Sequence, residues 1–481
     1  MPYNHGIKVN EIKTTLVPPV TSTSGLQVIV GTAPVNMADD PAGAVNKAFL
    51  CNSFAEAAAA VGYCTDFANY TLCQSIYASF QLYSVRPIVV INVLDPATHK
   101  ASQDETTITV VTAKKQALID KFGVLLDTVV VKNGSTTLVK DTDYTLSFDN
   151  AGKVIITLLM TSSVPSTVKV SYDYLDPSEV TAADIIGGVT AAGVESGLEV
   201  IRTVYPRLGV VPGLLLAPGW SKNASVAAAL NAKCEGINDL WRCECVVDLD
   251  TSVCEKYTDV VTQKAAAGLS SEHEIVCWPM VGIGNLRIAM SAAWAAKTAM
   301  ADGQNNDVPA LRVSNVPAGI TGAYLEDGTE VLLDQPQANV VNGAGVVTLL
   351  NDAGWKFWGN NTAAYPDTTD PKDRWITVRR WFSWWANSFI QTYRQKVDDP
   401  TNYRLIESVV DSENIRLNSY TPDKIAGGEV IFNEEMNPIT NILAGHLTFG
   451  IKIAPYVPAE YITANLEFDP EILQAALNGG E

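Results

Sequence analysis

GLLLAPGWSKNASVAAALNAKCEGINDLWRCECVVDL, residues 213–249, reads as strand, helix, strand. Leu214 to Ala217 is a short apolar run, too brief for a helix. The Ala-rich stretch 224–235 is helical and stops at Gly236, and 243–249 is again an extended apolar run. The rhythm continues with a helix over 252–267 and a strand over 275–281. Apolar strands that alternate with helices need both sheet faces covered, so the stretch predicts an α/β layer. The fold class expected for the whole chain is α/β (α+β mixed), in several domains.

Outward from this stretch, 26–30 and 87–94 (PIVVINVL from Pro87) read as further buried strands. Ser53-Phe54-Ala55-Glu56 is a capping box that opens an Ala-rich helix ending near Gly62. A second helical stretch covers 70–82. Residues 97–180 differ in texture. Short strands at 106–111, 129–131, 136–139, 144–148, 154–159 and 168–174 are separated by Asn133-Gly134 and Asp-rich turns, which describes a small all-β insertion. The expected organisation is an N-terminal arm (1–22), an α/β core (23–96 and 181–345), the β-rich insertion (97–180), a C-terminal domain (346–460) and a C-terminal arm (461–481).

Both termini read as strands lacking a neighbour. Leu447, Phe449, Ile451 and Ile453 alternate on one face of a strand, and after the bend Ala454-Pro455-Tyr456-Val457-Pro458 a second run places Ile462, Ala464, Leu466 and Phe468 on one face. At the other end, Gly6 to Asn10 is a short strand pattern that Pro18 and Pro19 cut off from the body. Ile7, Lys8, Val9 and Ile12 are its candidate contacts. A strand isolated by prolines still needs partners for its main chain, and the sheet edge of another subunit supplies them. The expectation is a polymer, with 447–453 as the acceptor strand.

One helix stands out near the C-terminus. Trp375, Val378, Phe382, Trp385 and Phe389 recur at helical spacing, opposite Arg380, Ser383, Asn387, Gln391 and Arg394. Between Asp373 and Asp398 there are only basic charges, in a chain whose formal net charge is −19. That asymmetry reads either as a solvated helix face or as a docking face for an acidic partner, with Arg379, Arg380, Asn387, Gln391 and Arg394 as the candidate residues of the latter.

The 481 residues are 47% hydrophobic and 18% charged, which excludes disorder as a general description. The negative charge argues against binding to nucleic acid or an anionic membrane. Met1 to Gly6 carries no targeting signal, and the longest apolar run (208–220) is broken by Pro212 and Pro218. Eight cysteines at irregular spacings read as reduced core residues.

Enzyme signatures are thin. His273-Glu274-Ile275-Val276-Cys277 lacks the second histidine of a zincin helix and reads as a buried strand. Gly282-Ile283-Gly284 lacks the third glycine of a dinucleotide loop, and Lys297-Thr298 lacks the glycines of a phosphate loop. Asp248 and Asp250 close a strand, where helix capping explains them at least as well as a metal. No cofactor is expected. An α/β enzyme acting on a small molecule is the alternative that the strand–helix alternation keeps open.

The C-terminal third carries an ordered set of motifs: Leu350-Asn351-Asp352-Ala353-Gly354, Lys356-Phe357-Trp358-Gly359-Asn360, Arg374 to Arg380, Glu434-Glu435-Met436-Asn437-Pro438, Ala444-Gly445-His446-Leu447, and Ala454 to Glu460. Together with Tyr3 to Ile12 and Ser314-Asn315-Val316, this order resembles the contractile tail sheath proteins of temperate myophages and R-type bacteriocins. The resemblance covers most of the chain except residues 97–180. It implies a structural, non-enzymatic subunit of a virion tail or tail-like particle, made in the bacterial host cytoplasm. Such subunits stack as a homopolymer around a tail tube, between baseplate and tail terminator, and share terminal strands. A non-sheath baseplate component is the other alternative.

Overall fold

The computed structural model describes residues 23–160 and 163–478. Its centre is an eight-stranded sheet. In chain order the strands are β1 (Gln27–Gly31), β2 (Ala48–Cys51), β3 (Ile88–Asn92), β4 (Leu214–Leu216), β5 (Glu244–Asp248), β6 (Glu274–Cys277), β7 (Val346–Asn351) and β8 (Trp355–Trp358). Their spatial order is β2-β3-β1-β4-β5-β6-β7-β8. The six inner strands are parallel, and β2 and β8 close the two edges antiparallel. Parallel strands need crossovers, which is why VIVG, IVVI, LLL and CVV are continuous apolar runs rather than alternating ones.

The covering helices are α1 (Phe54–Val61), α2 (Ala224–Cys234), α3 (Val260–Ala266), α4 (Met290–Gln304) and α5 (Gln335–Gly343). The α1 cap departs in detail from a capping box. Ser53 accepts from the Glu56 amide, but Glu56 reaches the Asn52 amide rather than that of Ser53. The helix expected over 252–267 is shorter: only Val260–Ala266 is helical, and Ser252 instead donates its amide to Asp250 in a turn. The strand expected over 275–281 is broken at Trp278-Pro279, after which Met280–Ile283 joins a separate three-stranded sheet.

Residues 100–175 build a seven-stranded antiparallel sheet with its own core of Val110, Ile119, Val131, Val154, Ile156 and Val170. Its strand Gln116–Phe122 (QALIDKF) has no counterpart among the expected ones, since its solvent face is too polar to resemble the others.

The C-terminal region rests on two long helices, α6 (Ile376–Tyr393) and α7 (Tyr403–Tyr420), and a hairpin of β9 (Ile425–Ile431) and β10 (Gly450–Pro455). Trp381, Trp384 and Trp385 from α6 pack with Tyr420, Leu417, Ile425 and Val430 into a second core. Ring centroids lie 5.2 to 6.5 Å apart, in the range where aromatic pairs add to simple burial. Gly428 is required where α7 meets β9, because a Cβ there would lie 2.7 Å from the Leu417 side chain and 2.8 Å from the Lys452 carbonyl.

Candidate assembly interface

The hairpin pairs Gly428 with Ile453, Glu429 with Lys452, and Val430 with Ile451. A two-stranded sheet is marginal by itself, and its two edges differ. On β9, Asn414 of α7 clasps Val430: its Nδ2 donates to the carbonyl at 3.3 Å and its Oδ1 accepts from the amide at 2.9 Å. Asn437 makes the same double contact with Thr448, at 2.8 and 2.7 Å, and so sets where β10 begins. The outer edge of β10 has no strand beside it among the described residues. Phe449, Ile451 and Ile453 pack against the second core, while Lys452 and Ala454 face out. Leu447 is half-buried but precedes the strand, which begins at Gly450 rather than at Leu447. Asn414 and Asn437 are the residues that sequence reasoning missed. The motif around Asn437 was visible, but its main-chain clasp was not.

Beyond Glu460 the chain leaves the body. Residues 461–469 form no strand, although their pattern alternates. Ile462, Leu466 and Phe468 are 85%, 97% and 75% exposed, and Ala464 is exposed too. No strand lies beside this segment among the described residues, so its alternation does not become sheet and its main chain is left to solvent. A short helix, α8 (Pro470–Leu477), follows with Asp469 as its cap and Ile472 and Leu477 exposed. Ile7, Lys8, Val9 and Ile12 lie outside the described residues.

The basic helix corrects the expectation of a docking face. Arg379 and Arg380 are 5% and 3% exposed, and Asn387 is buried. Arg380 forms an ion pair with Asp302 of α4, and its Nη2 also donates to the Ser24 carbonyl at 3.1 Å. Arg379 pairs with Asp373 at 3.2 Å. Asn387 brackets the backbone of Arg242, and Ser383 donates to Glu244 at 2.6 Å. Burial would raise the Glu244 carboxyl, but His273, Ser383 and Arg380 together hold it below its ordinary range. The polar face of α6 therefore lies against the sheet, and the tryptophan face lies against α7. A run of basic residues in sequence hid its partners, since Asp302 stands 78 positions from Arg380. Gln391 is half-buried, and Arg394 is exposed with its guanidinium 5.5 Å from the Tyr205 ring. Of the five residues, Arg394 is the one free to meet a partner.

The candidates for chemistry are engaged in packing. His273 Nδ1 lies 3.1 Å from the Cys243 carbonyl. Asp248 accepts from the Ser291 amide at 2.8 Å and so caps α4, not the preceding helix. Lys264 donates to the carbonyls of Ala344, Ala363 and Tyr365 at 2.6 to 2.8 Å. Among the described residues no group of acidic, histidine or cysteine side chains could hold a metal ion, and no helix is long and apolar enough to cross a membrane.

No family profile matches the chain. The tail sheath protein of Burkholderia phage BcepMu is 28% identical to it, across 99% of each chain. The tail sheath protein of Escherichia phage P2 is 26% identical over 59% of this chain and 70% of that protein. Among solved structures, the sheath complex of PVC, an extracellular contractile injection system, superposes in its contracted state with a TM-score of 0.57 and 15% identity, covering 98% of this chain and 99% of the other. The contracted helical sheath of the anti-feeding prophage gives 0.57 and 14%, covering 98% and 100%. Relatives by sequence are thus tail sheath proteins, and the fold is that of contractile sheaths.

Proposed function

We infer that this chain is a structural subunit of a contractile tail sheath, carried on a virion tail or tail-like particle, that polymerises and contracts to drive a tube through a target envelope. The observation that carries the mechanism is the pairing of an unfilled β10 edge with an exposed, alternating C-terminal segment in the same subunit. Each β10 edge accepts a neighbour's terminal strand, from residues 461–469 or from the N-terminal arm at 6–12. A strand shared in this way contributes roughly 0.5–1.5 kcal/mol net per main-chain hydrogen bond. Covering Ile462, Leu466 and Phe468 adds about 1.5–3 kcal/mol for each side chain fully buried. Summed along a polymer, these links hold while the subunits rotate between arrangements. The work of contraction comes from the strain of the extended assembly, so the subunit acts without catalysis. Its partners are other copies of itself, the tail tube, the baseplate and the terminator, and it is made in the host cytoplasm.

Negative-stain microscopy of the purified chain, with and without residues 461–481, tests the reading. Open-ended striated tubes from the intact chain and folded, unassembled subunits from the truncation are expected. Closed rings from the intact chain would replace the sheath by a baseplate role, and tubes from the truncated chain would overturn the exchange of C-terminal strands.

A further inference from the structure

Two arginines near the start of α6 hold the first described residues and the root of the C-terminal segment. At the N-terminal exit, Ser24 Oγ donates to Asp302 at 2.9 Å and Arg380 donates to the Ser24 carbonyl. The Arg380 and Asp302 side chains are 2% and 1% exposed. At the C-terminal exit, the Glu460 carboxylate receives Arg374 Nη2 at 3.2 Å, Asn360 Nδ2 at 3.3 Å and Asn361 Nδ2 at 3.5 Å. Arg374 is positioned by the body alone. Its Nε donates to Asn361 Oδ1 at 2.8 Å, and its guanidinium sits 4.3 Å from the Tyr365 ring and 4.0 Å from the Trp375 ring. A planar fork held between two rings is ready for a carboxylate before any arrives. Glu460 is also the last residue of the described chain whose side chain bonds to the body.

We propose that Arg374, Asn360 and Asn361 form a carboxylate receptor that latches the root of the C-terminal arm through Glu460, and that this latch opens while the N-terminal exit stays fixed. The difference follows from burial. The Arg374 and Glu460 side chains keep 23% and 30% of their exposure, so water replaces the lost partner on both sides when the pair opens. The Arg380–Asp302 pair has no such relief, and opening it strands a charge. The latch rests on the sheath reading for its purpose, which is to park the arm on a free subunit and release it to a neighbour. Its existence is a property of the single chain.

Limited chymotrypsin digestion of the full chain reads the latch directly. Tyr461 adjoins Glu460, whereas Phe468 lies well beyond it and serves as an internal control. In Glu460→Gln, scission after Tyr461 is expected to speed up about two- to fivefold relative to scission after Phe468, the range of an exposed ion pair. Arg374→Glu with Glu460→Arg restores the wild-type ratio, and salt narrows the gap between wild type and Glu460→Gln. An unchanged ratio in Glu460→Gln at low salt, with tryptophan fluorescence unaltered, overturns the latch. Because the digestion is run on the monomeric fraction from size-exclusion chromatography, a chain that failed to form tubes would still report the latch, and one that formed them could still lack it.

Discussion

Replacing Arg380 by methionine tests whether the basic helix is an internal strut or a docking face. The guanidinium makes two contacts with the Asp302 carboxylate and one with the Ser24 carbonyl, in a site almost closed to water. Methionine fills much of the same volume but leaves the Asp302 side chain buried with Ser24 Oγ as its remaining side-chain donor. Removing one member of a buried pair costs about 3–5 kcal/mol, chiefly from the charge left behind. Asp302→Leu added to Arg380→Met removes that charge as well. Since apolar replacements of whole buried pairs are often close to neutral, the double variant should recover most of the loss, to within about 2 kcal/mol of wild type. Ser24 Oγ then still has the Asp307 carbonyl at 3.1 Å. Urea unfolding followed by tryptophan fluorescence is the assay, because Trp381, Trp384 and Trp385 lie on the same helix. The reasoning is refuted if Arg380→Met stays within about 1 kcal/mol of wild type, or if the two substitutions simply add. Arg380→Glu sets two carboxylates face to face and should give an unfolded chain, not a folded subunit with weakened attachment.

Three further outcomes are expected. Lys264→Met deprives three carbonyls of a shared charged donor and should cost about 2–4 kcal/mol in the same urea assay; a loss below about 1 kcal/mol would mean that the ammonium is dispensable. Burial pushes the Asp248 carboxyl from 3.8 up to about 6 against the bonds from Ser291 and Ser221. The folded state therefore binds this proton more tightly than the unfolded chain, and its contribution to stability falls as pH rises between those values. Asp248→Asn should flatten that part of the stability profile, and parallel profiles would exclude the group. Deleting residues 461–481 should leave the melting temperature within about 2 °C of wild type, since every described residue of the segment is exposed in the single chain; a larger drop by calorimetry would show that the arm is part of the body's fold.

The parallel core was legible because burial on both faces leaves continuous apolar runs, and residues 27–31, 88–92, 214–216 and 244–248 carry them. The mixed strand order was not, since β1 lying between β3 and β4 depends on how crossovers pack rather than on any local pattern. The strand at Gln116–Phe122 escaped notice because a surface sheet tolerates polar residues on its open face. The extra helix Pro470–Leu477 escaped because a short amphipathic run beside an alternating one lacks a distinct period.

The sequence by itself determined that the C-terminal segment alternates, that prolines separate it from the body, and that basic residues gather between 374 and 396. Alternation and charge density are local properties, and both survive into the fold. Only the tertiary structure decided what those residues do. It turned Arg379 and Arg380 inward, because carboxylates distant in sequence or set beside the helix meet them there, and it gave Arg374 a partner at the root of the arm. It also left the alternating segment in solvent, because a strand is completed only by another strand, and none lies beside residues 461–469 among the described residues.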